Sequence, residues 1–329
     1  MQTGLDLSRW REQPRSVAYR RWSILRTGLL LLLRTRFYRF VVIAAWTAGL
    51  VIAAAGFVFS QTISSTGWLQ SLAQHLGPRF EAIASATTAL VTLYPDVVVR
   101  GIFTLILWVH SFLGLWLSLL ALTAMVPRLI TRDRASNALT IYLSRPLTTS
   151  DYLLGKLGMI VGIIVLVWTG PLLFGWVVSM LFAVDLDFVR YSLEPLGRAL
   201  LFNAIGLVSL AAIALGVSAL SKTSRTTVAI WIGLWIVLGT LASPPNAPKW
   251  IHRASFTQDL SQVRQEVLRV DRVLSDAAEQ LPLIDQRLVS NLKRTGEKAQ
   301  ASDFSGALAA LGAFVVLTSA LFFRKLRPE

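Results

Sequence analysis

No cysteine occurs in the 329 residues, which excludes disulfides, thiolate metal sites, iron–sulfur clusters and cysteine nucleophiles. Three histidines, at 75, 110 and 252, argue against a histidine metal centre, and no metal is expected. The phosphate-cradling pattern G-x-x-x-x-G-K-[ST] is missing as well. Gly155-Lys156 comes nearest, but Leu157 follows it and Ser150 stands where the first glycine belongs. Charge is scarce: 15% of residues, against about 25% in soluble domains, while 54% are apolar. The apolar excess sits in long uncharged blocks, so a water-soluble globular enzyme is excluded and no catalytic residue is assigned. The composition is that of a polytopic membrane protein.

A helix needs about 20 apolar residues to cross roughly 30 Å of hydrocarbon. Six blocks free of Asp, Glu, Lys and Arg meet that length: 40–60, 101–126, 157–184, 199–221, 226–248 and 304–323. They must be helical, because lipid offers the backbone no hydrogen-bond partner and no alternating strand pattern suggests a barrel. The fold class is therefore all-α, with six transmembrane helices. A shorter Ala- and Thr-rich stretch, 82–95, reads as an interfacial or re-entrant helix. With both termini inside, the inner segments 1–36, 127–156, 222–225 and 324–329 carry 18 Lys+Arg against five acids, whereas the outer segments balance 13 against 13. Short basic loops belong on the cytoplasmic side, so N-in, C-in is expected. The formal charge of +14 is thus directed at a membrane surface, and no nucleic-acid partner is expected.

The N-terminus does not read as a cleavable signal: the Leu29–Leu33 run is short and late, and Arg34 and Arg36 follow it. Ala18, Trp22, Leu25, Leu29, Leu32 and Leu33 instead fall on one helical stripe flanked by Arg20, Arg21 and Arg26. That pattern suits an elbow helix lying in the interface against membrane lipids.

Between the second and third blocks runs PRLITRDRASNALTIYLSRPLTTSDYLLGK, residues 127–156. An apolar run, Ala138 to Leu143, follows polar RDRASN. Ser144-Arg145-Pro146 then breaks the helix, and Thr149-Ser150-Asp151 can cap a new one running through Gly155-Lys156 into the third span. The product is a short helix across the membrane mouth, tied to two spans.

At Arg132-Asp133, Leu139, Leu143-Ser144-Arg145-Pro146 and Tyr152-Leu153-Leu154-Gly155-Lys156 the sequence resembles the ABC-2 family of ABC-transporter permeases. Asp133 stands where the family has Glu, and Asn137-Ala138 where it has Gly-Thr. The local motif covers about 25 residues, and the six-span layout with its elbow helix extends the likeness over most of the chain. The resemblance implies that Arg132, Asp133, Arg134, Asn137, Leu139, Leu143, Ser144, Arg145, Pro146, Gly155 and Lys156 form a coupling helix and its flanks, seated on a separate ATPase subunit. It further implies a second permease protomer, as homodimer or with a paralogue, and export rather than import. ATP and Mg would be used by the partner, with no cofactor bound by this chain, and the chain itself would not be an enzyme.

An ion-coupled carrier would need ionisable groups near the midplane, and the six blocks offer only His110 and Asn203. His110 reads as an interhelical hydrogen-bond former before a proton relay, and Asn203 as a residue that could bond across helices; Trp231 and Trp235 form one aromatic stripe, for packing or lipid contact before a path for an apolar or amphipathic cargo. Pro171, with Gly170 and Gly175, suggests a kink.

After Pro244 and Pro248, apolar residues recur at 3-4 spacing: Leu260, Val263, Val267, Val270, Leu274, Ala277, Leu281, Ile284 and Leu288. This is a coiled-coil-like seam. Pro282 interrupts it, so a helix of about 20 residues, a bend and a second helix are expected on the outer side. The seam could dock a second protomer or an extracytoplasmic partner, or bury itself against its own turn or the outer loop 61–100, where Phe80, Ile83, Thr87, Leu90 and Tyr94 share a face. The chain divides into the N-terminus with elbow helix (1–36), spans one to five with the coupling loop (37–242), the outer helical segment (243–303) and the sixth span with its basic tail (304–329). The alternative functions are a membrane scaffold that uses the outer stalk, or an ATP-independent channel or carrier.

Overall fold

Six helices in the computed structural model are long and apolar enough to cross a membrane: Arg36–Thr62, Pro95–Thr131, Ser150–Phe182, Asp187–Leu220, Ser224–Leu241 and Phe304–Arg324. The structure describes residues 16–64, 68–136, 148–183, 186–221, 223–244, 248–280 and 304–326, and among these no strand occurs. Each uncharged block of the sequence lies on one of these helices. Span two extends beyond its block at both ends, carrying Asp96 and Arg100 on its first turns. Span five stops at Leu241, short of Pro244 and Pro248, because neither proline can donate to a helix ladder. The stretch 82–95 falls on a shorter helix, Pro78–Leu93, which buries Ala84 and Val91 and leaves Phe80 and Ile83 exposed.

Close packing of the bundle rests on glycine. Between spans one and three, a Cβ on Gly56 would lie 2.1 Å from the Ser179 Cβ, and one on Gly175 would lie 2.5 Å from the Gly49 carbonyl oxygen. Lipid tails are as apolar as leucine, so helices associate through backbone approach of this kind, with hydrogen bonds added. Here Ser179 Oγ lies 3.0 Å from the Ile52 carbonyl of span one, within hydrogen-bonding reach.

At Pro171, where a kink is expected, span three is irregular in its hydrogen bonding. A π turn, Val165–Thr169, precedes it, and the Gly170 N–H bonds back to Val165. The Leu166 carbonyl thereby loses its helical donor at 170, and Pro171 has no N–H to replace it. Trp46 of span one supplies one instead, its Nε1 donating to Leu166 at 3.1 Å. His110 Nε2 donates to the Trp168 carbonyl at 3.1 Å, and Thr169 Oγ1 donates to Asn203 Oδ1 at 3.0 Å. His110 and Asn203 are thus ligatures between spans two, three and four.

The elbow helix, Val17–Leu33, lies against the start of span three. Gly155, Gly158 and Gly162 make a groove on that span. A Cβ at these positions would come within 2.8 Å of Ile24, 2.6 Å of Leu25 and 2.7 Å of Leu29. The apolar stripe read from the sequence is therefore divided: Leu25, Leu29 and Leu32 face the protein, while Trp22 stays exposed together with Leu30 and Leu31.

The segment after span five departs most from expectation. Instead of one helix of about 20 residues, it forms a buttress helix of 13, Phe256–Leu268, and a distal helix of 11, Val270–Gln280. The distal half of the seam does meet the 61–100 segment, since Val270 and Leu274 share a cluster with Val91 and Val99. The buttress helix packs on spans two, four and six, with Phe256 between Trp231 (6.4 Å) and Phe314 (6.3 Å). Leu260 and Val263 are fully buried in the main core, against which Val267 packs, while Val270 and Leu274 join a second cluster with Phe103 and Leu268. Leu281, Ile284 and Leu288 lie outside the described residues.

Arg269 divides the two helices by adopting a left-handed backbone, φ 49°, at the C-cap of the buttress helix. Glycine occupies such positions without the Cβ penalty of roughly 1–2 kcal/mol. Arg269→Gly is expected to stabilise the protein by about 1 kcal/mol, read as a higher melting temperature in detergent at unchanged helix content. A lower melting temperature would mean that the 4.0 Å approach of Arg269 to Glu266 outweighs the backbone strain.

Candidate functional site

The loop that follows span two is anchored residue by residue where its two ends meet the bundle. Pro127 opens a five-residue π turn, Pro127–Thr131. In this turn the backbone N–H groups of Ile130 and Thr131 turn to Ser218 Oγ of span four, at 2.9 and 3.4 Å. Thr131 Oγ1 donates to the Ser218 carbonyl at 2.8 Å and lies 3.0 Å from Thr227 Oγ1 of span five. All three hydroxyl residues are fully buried. Buried polar groups satisfied by one another in this way fix a single geometry, because releasing any of them leaves an unpaired group in an apolar setting.

One turn further on, in the short helix Arg132–Ala135, Asp133 receives both Lys156 Nζ and the Tyr152 hydroxyl at 2.7 Å. Tyr152 and Lys156 are four apart on span three, which puts them on one face. Tyr152 OH also lies 3.3 Å from the Leu129 carbonyl, and the Lys156 ammonium sits 5.3 Å from the Tyr152 ring centroid. Tyr152 and Lys156 are both buried. The loop therefore leaves and re-enters the bundle through one closed polar clamp.

The returning end is capped by Thr148, one residue before the stretch expected to do so. Asp151 N donates to Thr148 Oγ1 at 3.2 Å while Thr148 N donates to Asp151 Oδ2 at 3.4 Å, a reciprocal capping box. Asp151 also accepts from Arg21 of the elbow helix, with Nε at 2.7 Å and Nη2 at 2.5 Å. A cavity of about 660 Å³ opens between the elbow helix and the loop base, lined by Thr27, Gly28, Arg128, Arg132, Lys156 and Met159 among others.

Of the residues assigned from the sequence, Arg132, Asp133 and Lys156 meet at this base. Gly155 stands beside them for a different reason, admitting Ile24 of the elbow helix. Arg134 belongs to the same short turn. Asn137, Leu139, Leu143, Ser144, Arg145 and Pro146 lie outside the described residues. Sequence reasoning missed Thr131, Thr148, Ser218 and Thr227, assigned Arg21 to the lipid interface rather than to Asp151, and quoted Tyr152 without giving it a role. The four-residue spacing of Tyr152 and Lys156 was a usable signal. Ser218 and Thr227 carry none, since a hydroxyl near the end of an apolar span has many possible uses. Among the described residues, no group of three or more His, Asp or Glu comes together as a metal site.

A six-span helical bundle with an elbow helix and a braced loop between spans two and three defines a multi-pass membrane protein. A family model described as ABC-2 family transporter protein matches residues 116–325, well over half of the chain, from the middle of span two to the end of span six. The chain belongs to the ABC-2 family of transporter membrane proteins. The permease domain of this family has no catalytic activity of its own, the ATPase being separate, and ABC-2 permeases generally pair with one. No curated protein matches the chain.

Proposed function

We propose that the chain is the membrane subunit of an ATP-driven exporter, driven through loop 127–156 by a separate ATPase subunit that uses ATP and Mg. It works as a homodimer or with a paralogous permease, in a bacterial inner membrane with both termini cytoplasmic. The observation that carries this reading is the double anchorage of the loop. The Asp133–Lys156–Tyr152 clamp fastens it to span three, and the Thr131–Ser218–Thr227 knot fastens it to spans four and five. A displacement imposed on such a loop moves spans two to five and the elbow helix together, so force entering there would switch an interprotomer cavity between inward and outward states. The excess of Lys+Arg in the segments on the loop's side supports the orientation. Export rests on analogy within the family.

The test is affinity purification of the full chain from its own membranes. An ATP-hydrolysing polypeptide is expected to co-purify with the native chain, and Arg145→Glu, which reverses a charge at the expected docking helix, should reduce its recovery about tenfold at unchanged melting temperature. Equal recovery with both chains would overturn the coupling role of the loop. Substrate movement without nucleotide would overturn ATP drive.

A further inference from the structure

A second cavity, of about 430 Å³, lies in the flank of the bundle between spans two and five and the buttress helix. It is within the ~300–1,000 Å³ range of small-molecule sites. The cavity reaches the surface between Phe112, Trp116 and Ile236, each about 40% exposed, so it opens where lipid or a second copy would lie. Trp116 and Trp235 line it in an edge-to-face pair, ring centroids 5.5 Å apart. The only charged side chain lining it, among the described residues, is Arg264.

Arg264 is 6% exposed, and its Nε and Nη1 are buried without a hydrogen-bond acceptor. Its guanidinium is held over the rings of Trp108 (4.6 Å) and Phe112 (5.0 Å), which offer a cation some compensation but no lone pair. On the same helix, Asp259 pairs through Oδ1 with Arg253 at 2.9 Å while its Oδ2 stays buried without a donor, and burial pushes its carboxyl up to about 6. Burial pushes Arg264 down to about 10, so it stays charged at neutral pH. Trp235, at the same cavity, has its indole N–H buried without an acceptor too. Buried donors left unpaired are expensive, and both kinds here are donor-only groups. What completes them must be an acceptor, must carry negative charge, and must bring apolar surface for Trp116, Phe112 and Ile236.

We infer that this cavity is a binding site for an anionic amphiphile, its acidic headgroup on Arg264 and its hydrocarbon chain between Trp116 and Ile236. The inference does not rest on the coupling role of the loop, since occupancy needs no ATPase. A lipid of the bilayer or a single-chain acid carried as cargo would present the same chemistry.

The experiment places the full chain in phosphatidylcholine nanodiscs with a diazirine-bearing dodecanoic acid or its methyl ester, and maps the photolabelled peptides. The acid should label the peptides bearing Phe112–Trp116 and Trp235–Thr240 about ten- to hundredfold more than the ester, as expected for a charge-assisted hydrogen bond. Arg264→Gln should abolish that preference and Arg264→Lys should keep part of it. Equal labelling by acid and ester, or a preference that survives Arg264→Gln, overturns the inference. Should Arg264→Gln fail to fold, Trp235→Phe, which removes one N–H, must weaken the preference several-fold, and an unchanged preference there overturns it equally. Displacement of the probe by phosphatidylglycerol added to the discs identifies a bilayer lipid as the source. Displacement by free dodecanoate but not by phosphatidylglycerol identifies a single-chain cargo.

Discussion

Gly114→Ala is expected to lower the stability of the purified protein by about 1–3 kcal/mol, the usual penalty for forcing a methyl group into a filled core. The Trp168 indole is held between two glycines, one at each end of the ring. A Cβ on Gly114 would meet its Cδ1 at 2.1 Å, and a Cβ on Gly206 would meet its Cη2 at 2.7 Å. The ring has no room to retreat, being fully buried and set edge-on to Phe202 at 5.5 Å. Its own backbone carbonyl is held by His110, so the helix cannot easily shift to accommodate the ring. Trp168→Ala should be worse, at about 3–5 kcal/mol, because the space it leaves cannot collapse against two glycine faces. The decisive case is the pair: Trp168→Phe should recover much of the loss caused by Gly114→Ala, because a smaller ring makes room for the methyl group. Melting curves in detergent read all three. A Gly114→Ala protein that melts with the native one would show that the indole is not wedged as described.

The spans were legible because lipid allows so few solutions. An uncharged block long enough to cross must be a helix, and each of the six blocks is on one. Their ends were less legible, since Asp96 and Arg100 continue the helix of span two beyond its apolar part. The loop base was half legible. Asp133, Gly155 and Lys156 could be named from the motif, but their division of labour could not: Asp133 and Lys156 pair, whereas Gly155 is there to let Ile24 approach. The elbow helix posed the same difficulty. Its stripe was visible, yet the groove of Gly155, Gly158 and Gly162 that receives it becomes a groove only when two distant segments are brought together. In the segment after span five, the periodicity found the right face at Leu260 and Val263 but could not say what covers it. Arg264, next to the seam residue Val263, is buried against Trp108 and Phe112. The break at Arg269 had no signal at all, lacking the Gly, Asn or Pro that announces a helix end.

Lys156→Met should destabilise the protein by about 1–3 kcal/mol, because it leaves the Asp133 carboxylate with the Tyr152 hydroxyl as its remaining partner at the clamp. Asp133 is 17% exposed in its side chain, so water softens the penalty below that of a fully buried orphan. The effect on function should exceed the effect on stability. With the ion pair gone, the Tyr152 hydroxyl alone ties Asp133 to span three, and the response of the proposed ATPase partner's turnover to the permease should weaken. Adding Asp133→Leu separates two explanations. Replacing both members of a buried pair by apolar groups of similar size is often neutral, and with both substitutions in place the loop base would close again on apolar contact, without charge. If the clamp is mechanical, the double variant regains both stability and the ATPase response. If Asp133 or Lys156 instead touches the ATPase directly, stability returns and the response does not. The burial of Lys156 and Tyr152 and the single carboxylate they share support the first outcome. Melting temperature and ATP turnover measured on the native chain and on the single and double variants decide between them.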